Sequence, residues 1–220
     1  MNTRKALLLG ASGLIGGHCL ALLLQDDTYD EVIVLLRKPL PQTHPKLTQH
    51  IVNFDRLHEH AALLTADDVF CCLGTTIKKA GSQGAFRKVD FTYAYEAAQL
   101  AVANGAEQFL LVSSLGADAN SSVFYSRVKG ELEIAISALP FTAVSIFQPS
   151  LLLGERAEFR LGERLAEPLA KALSFLLLGP FRKYRPIEAR TVAAAMIQVA
   201  KSQPKGVQVY ESDQIQEIGQ

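Results

Sequence analysis

Cysteine is scarce in this sequence of 220 residues: there are three, with Cys71 and Cys72 adjacent and Cys19 distant from both. That is not the spaced, even set of a secreted disulfide scaffold, and it points to a reducing compartment, read here as the cytoplasm. An excess of either charge is missing as well. Lys plus Arg and Asp plus Glu each number 22, so the whole chain has no electrostatic pull toward nucleic acid or an anionic membrane. No apolar run reaches the roughly 18 to 20 residues of a membrane span, and with Met-Asn-Thr-Arg-Lys leading straight into an apolar stretch no signal peptide is expected. Internal repeats and low-complexity tracts are also lacking. The expectation is a soluble α/β protein forming one continuous unit over residues 1–220, with a small molecule as its partner and monomer and homodimer both open.

What is present is organised around residues 5–16, Lys-Ala-Leu-Leu-Leu-Gly-Ala-Ser-Gly-Leu-Ile-Gly. Ala6, Leu7, Leu8 and Leu9 read as a strand buried on both faces, and Gly10, Gly13 and Gly16 follow at a spacing of three. A strand, a tight turn and a helix start are predicted. Gly10 lets the chain turn with positive φ, Gly13 lets backbone N–H groups approach a pyrophosphate, and Gly16 lets the helix pack closely on its strand. The anion then meets the positive end of the helix dipole. Gly10, Ser12, Gly13, Leu14 and Ile15 are the candidate cofactor contacts of this turn.

A second apolar run, residues 32–36, ends at Arg37-Lys38-Pro39. In a strand-helix-strand unit this position faces the adenosine ribose, where an acid favours the 2′-hydroxyl of NAD. Two cations suit a 2′-phosphate instead, Arg37 through its planar fork, so NADP is preferred and NAD is the second choice. Residues 47–54 read as a third strand, ending at Asn53 and Phe54, with Asn53 placed to read the adenine edge. His44, His50, His58 and His60 match no familiar zinc spacing, and no metal is expected. Residues 67–74 form a fourth strand. Leu73, Gly74, Thr75 and Thr76 follow at its carboxyl end, where open α/β sheets bind ligands. Residues 78–84 read as a mobile basic loop, and Cys71 and Cys72 as packed strand residues rather than reactive thiols.

Residues 86–104 read as one long helix, and 108–112 as a fifth strand running into Ser113-Ser114 at the sheet edge. Ser121-Ser122 then caps a helix on which Tyr125 and Lys129, four apart, share a face. A tyrosine with pKa near 10 is about 4 kcal/mol short of being a general base at neutral pH. A neighbouring ammonium, and the positive ring of an oxidised nicotinamide, both favour the phenolate. With hydride from the cofactor and a serine hydroxyl on the substrate oxygen, the set interconverts a carbonyl and an alcohol.

In these motifs the sequence resembles the short-chain dehydrogenase/reductase superfamily in its atypical or extended branch, nearest to the HIV Tat-interacting protein family of oxidoreductase-like proteins. The likeness covers nearly the whole chain: Gly-Ala-Ser-Gly at 10–13, Phe-Cys-Cys-Leu-Gly-Thr-Thr at 70–76, Lys-Ala-Gly at 79–81, Val-Ser-Ser-Leu-Gly-Ala-Asp at 112–118, and Tyr125 with Val128-Lys129-Gly130-Glu131. It implies a Rossmann-type doubly wound parallel sheet, NADP binding, and a catalytic Ser, Tyr and Lys. These fall on Ser114, with Ser113 as the alternative, Tyr125 and Lys129. Pro149, after a sixth strand at 141–147, falls where the superfamily sets backbone against the nicotinamide. The resemblance also leaves room for an NADP(H)-sensing regulatory or protein-binding module without turnover, and for a nucleotide-sugar epimerase-like enzyme.

In the final third, residues 151–154 are expected to continue the sixth strand, and 156–164 to form a charged helix. Residues 165–181 are apolar, so 151–185 is expected to cover the substrate or form a subunit contact, peripheral membrane association being disfavoured. A helix at 189–201 and a closing strand at 206–210 complete the reading.

Overall fold

The computed structural model describes residues 3–153 and 179–220. Seven strands form one parallel sheet in the order β3-β2-β1-β4-β5-β6-β9: β1 (Arg4–Leu9), β2 (Tyr29–Leu36), β3 (Leu47–Ile51), β4 (Asp68–Cys71), β5 (Gln108–Val112), β6 (Ala143–Gln148) and β9 (Gly206–Glu211). The short pair β7 (Leu152–Leu153) and β8 (Ile187–Glu188) stands apart. This is the expected doubly wound α/β architecture, and its cause is visible in the strands. Continuous apolar runs such as Ala6-Leu7-Leu8-Leu9 have no polar side to give to water, so they are buried on both faces.

Helices supply the two covers. On one face α1 (Leu14–Gln25) and α6 (Ala189–Ser202) pack with β1 and β2 through Leu20, Leu23, Val192 and Met196. On the other, α4 (Tyr93–Ala103) and α5 (Phe124–Ser137) pack through Ala97, Ala101, Leu132 and Ile136. At the amino end of the strands the fully buried Asp68 accepts from Arg4 Nε at 2.9 Å, Tyr29 Oη at 2.8 Å and Gln108 Nε2 at 2.7 Å, tying β1, β2, β4 and β5 together. The strand order reverses between β1 and β4, and their carboxyl ends open the crevice in which such sheets hold ligands.

Five local expectations change. The third strand stops at Ile51 instead of running to residue 54, because Asn53 caps a 3-10 segment that starts at Phe54. Residues 78–84 are not a loop: α2 (Ile77–Ala80) is capped by Thr76, whose Oγ1 accepts from Lys79 N, and ends at Gly81 with φ +87°, while Ser82 caps α3 (Gln83–Arg87). The long helix holds a π turn, Lys88–Thr92, between α3 and α4. Residues 151–153 do not continue β6. Pro149 lacks the N–H a ladder needs, and the chain re-pairs as β7 with β8. Ser122 does not cap α5, whose N-cap is Val123; Ser121 Oγ instead accepts from Val123 N at 3.1 Å. A helix absent from the sequence reading, α7 (Ser212–Ile218), begins at a capping box formed by Glu211 and Gln214. The charged helix at 156–164 and most of the apolar segment at 165–181 lie outside the described residues.

Candidate active site

The glycine turn adopts the predicted shape. Gly10 has φ +83°, and a Cβ on it would stand 2.5 Å from Cys72 O, because the ends of β1 and β4 touch there. A Cβ on Gly16 would fall 2.1 Å from Gly10 O, so only glycine lets the first turn of α1 rest on the turn below it. Gly13 is the N-cap of α1, exposed together with Ser12, and leaves the first amides of the helix uncovered by side chains. Leu14 is half-buried and Ile15 buried, so both anchor the helix start from within.

Around this turn the other cofactor candidates separate. Arg37 and Lys38 stand exposed directly after β2. Asn53 caps the 3-10 segment Phe54–Leu63, its Oδ1 accepting from Asp55 N at 3.0 Å, and the ring of Phe54 is buried against Tyr93. Leu73, Gly74 and Thr75 follow β4 into the crevice. Thr76 spends its hydroxyl as the cap of α2. Cys71 is fully buried, and burial pushes its thiol up to about 12, in keeping with a packing role.

Ser114, Tyr125 and Pro149 come together. With Leu115, Ser150 and Lys183 they line a cavity of about 510 Å³ at the carboxyl edge of the sheet. Backbone bonds set this edge: Ser113 N–H donates to Phe147 O at 2.7 Å and Leu115 N–H to Pro149 O at 3.0 Å, so the two strand ends are tied together. Ser114 lines the cavity and the buried Ser113 does not, while the Oγ atoms of both are buried without a hydrogen-bond partner among the described residues. Tyr125 is 36% exposed, its ring packed 5.5 Å from that of the fully buried Phe86.

Lys129 is only 4% exposed, and Asp90, at 1%, meets its ammonium at 2.9 Å. Asp90 also accepts from Thr75 N at 2.8 Å. Burial alone would drive the lysine's pKa down; the facing carboxylate, helped by the Tyr125 phenol, more than reverses this and lifts it above the ordinary value. The ammonium therefore stays charged at neutral pH. Asp90 is the residue that the sequence reading missed. Its signal was present: Phe86 and Asp90 are four apart, as are Tyr125 and Lys129, and each member of one pair meets a member of the other.

The profile of the NAD(P)H-binding family matches residues 10–137, the span from the glycine turn to the end of α5. The chain belongs to this family. It is similar to protein HTATIP2 of Rattus norvegicus, 41% identical over 170 residues, covering 76% of this chain and 70% of that protein. The resemblance to the Tat-interacting protein family is thereby established. It is also similar to protein FMP52-1, mitochondrial, of Scheffersomyces stipitis, 37% identical over 157 residues, covering 69% of each. The fold matches the solved structure of the Bordetella bronchiseptica enzyme WbmH in complex with NAD+, with a TM-score of 0.73 at 14% identity, covering 96% of this chain and 76% of that one.

These relatives correct one expectation. A cytoplasmic location does not stand, because several yeast relatives carry the designation mitochondrial in their names. Three free cysteines are compatible with more than one compartment.

Proposed function

We propose that this NAD(P)H-binding protein is an NADP-dependent oxidoreductase acting on a small carbonyl or alcohol. The observation that carries the reading is the shared cavity of Ser114 and Tyr125, with Lys129 one helical turn below Tyr125 on α5. The crevice fits a dinucleotide: Gly10 and Gly16 let the turn close tightly on β4 and on the start of α1, and the α1 amides, with no side-chain cap, offer an anion site. Arg37 and Lys38 hold the 2′-phosphate of the adenosine ribose in this reading, which is the basis for preferring NADP over NAD. The bound nicotinamide supplies or accepts the hydride.

The chain's own residues do the rest. Ser114 Oγ donates to the substrate carbonyl oxygen and orients it. Tyr125 Oη gives that oxygen its proton in the reducing direction and takes it back in the oxidising one. Lys129, kept protonated by Asp90, favours the phenolate left behind and would hold the nicotinamide ribose. Asp90 is a positioning residue that acts through Lys129. Pro149 lines the same cavity and would offer its backbone to the nicotinamide.

Purified protein mixed with NADPH and a panel of small aldehydes and ketones tests this. The expected result is NADPH oxidation that falls by two orders of magnitude or more, roughly, in Tyr125→Phe while cofactor binding persists. Tight NADPH binding with no turnover across the panel would overturn the enzyme reading in favour of a cofactor-sensing module.

A further inference from the structure

Beyond Ser114, Tyr125 and Pro149, the cavity has a second wall. The turn Gly179–Tyr184 and the end of β9 bring Lys183, Tyr184 and Glu211 to it, with Leu151 beside them. Lys183 and Glu211 are the sole charged side chains lining the cavity among the described residues, and they face each other: Lys183 Nζ lies 2.9 Å from Glu211 Oε1 and 3.1 Å from Oε2. Each is held in place. The Glu211 carboxylate also caps α7, accepting from the Gln214 backbone amide, where the positive end of that helix favours the ionised form. The Lys183 ammonium packs 5.9 Å from the centroid of the Tyr184 ring, and its hydrogen bond to Glu211 lifts its pKa above the ordinary value. At neutral pH the wall therefore carries one charge of each sign and no net charge. Ser150 adds no further demand, since its hydroxyl donates to Arg185 O and accepts from Ser212 Oγ at 3.0 Å. Leu151 and Tyr184, at 51% and 53% exposure, give the wall its apolar surface.

We propose that the Lys183–Glu211 pair is a specificity element that admits neutral carbonyl compounds with an apolar body and turns away anionic ones, keto acids and phosphorylated or nucleotide-linked sugars among them. The inference rests on the oxidoreductase reading of this cavity. A carboxylate or phosphate has two ways to enter. Near Lys183 it must take the ammonium from Glu211, exchanging one attraction for another of the same kind and leaving two anions side by side. Away from Lys183 it gives up its water to a wall of Leu151 and Tyr184 that offers no compensating charge. A neutral ketone meets neither cost. It leaves the pair intact and lays its hydrocarbon part on Leu151 and Tyr184, with its oxygen at Ser114 and Tyr125. Such selection works by repulsion as much as by fit. Lys183 without Glu211 would make the opposite site, one that draws acids in, so Glu211 decides the sign. Both side chains keep contact with water, at 30% and 39% exposure, and the selection is therefore of the order of tenfold rather than absolute.

Matched compounds that differ in charge but little in shape test this. Levulinamide is set against levulinate, and para-acetylbenzamide against para-acetylbenzoate, each as substrate with NADPH and as ligand in calorimetric titration of the NADPH-loaded protein. The amide should be preferred about tenfold, both in kcat/KM and in affinity. Glu211→Gln keeps an oxygen for the α7 cap but removes the charge, and should move that ratio toward the carboxylate by about tenfold or more. Lys183→Met should move it the other way, because Glu211 then faces the cavity unpaired. The same loss of charge at the exposed Glu59, in Glu59→Gln, should leave the ratio where it was. A parent protein that takes the carboxylates as readily as the amides overturns the proposal. So does a Glu211→Gln variant with the parent's ratio, a Glu59→Gln variant that shifts it equally, or a loaded protein that binds neither member of a pair. Binding of the amides without turnover of any compound would instead sink the oxidoreductase reading, while the calorimetric ratio still decides the selection by charge.

Discussion

Asp90 meets the Lys129 ammonium at 2.9 Å in a place from which water is excluded, and the π turn at Lys88–Thr92 is the backbone device that carries the carboxylate there. A π turn adds a residue to one turn of an α-helix and is found often at functional sites. Here the widened turn lies in the helix that covers α5, and its buried residue is the acid. The pair joins the α3–α4 segment, α5 and the Gly74-Thr75 turn in one charged contact.

Removing one partner of such a pair is costlier than removing both, because a lone buried charge keeps its desolvation cost without its attraction. Asp90→Ala is expected to lower unfolding stability by about 3–5 kcal/mol in urea titrations. Adding Lys129→Met to that variant should recover part of the loss. Strictly additive losses in the double-mutant cycle would show that the two residues are not coupled.

Adjacent glycines in α1 should respond with opposite signs. Gly16→Ala places a methyl 2.1 Å from Gly10 O and should destabilise by about 1–3 kcal/mol while weakening cofactor binding. At Gly17 the nearest atom would be 3.7 Å away on an exposed helix face, so Gly17→Ala should stabilise by about 0.5–1 kcal/mol. Thermal melts of the two variants, with and without NADPH, check both.

Cofactor choice should rest on the cations after β2. Arg37→Asp removes the fork that would hold the 2′-phosphate and presents an acid to the ribose hydroxyl, which should move the affinity ratio toward NAD by about tenfold or more. Calorimetric titration with both coenzymes measures it. An unmutated protein that binds NAD more tightly than NADP would refute the phosphate assignment.

Glu133, one turn beyond Lys129, accepts two bonds of 3.0 Å from Gln148 Nε2. Burial pushes its carboxyl above the ordinary 4.5, with Gln148 and Lys129 only partly offsetting it. A folded-state pKa above the unfolded value means that the folded protein holds the proton more strongly. Ionised Glu133 thus destabilises the fold at neutral pH, and the deficit shrinks as pH falls through the raised value toward 4.5. Glu133→Gln should therefore gain stability at about pH 7 and lose that pH dependence, as denaturant midpoints at about pH 7 and about pH 5 would reveal. A variant less stable than the parent at neutral pH runs against the assignment.

The sequence by itself determined the seven strands of the main sheet, the glycine turn and the Tyr125–Lys129 face, because each is written in local patterns: apolar runs, a repeat of glycines, a spacing of four. It also carried enough likeness to place the chain in its family. Only the tertiary structure decided that Asp90 guards Lys129, that Ser114 rather than Ser113 reaches the cavity, and that β9 leaves an apolar edge in the open. Each of these depends on which segments the sheet order brings side by side. The π turn belongs with them, since a change in the pitch of one helical turn alters no residue pattern and shows only in what it brings into contact.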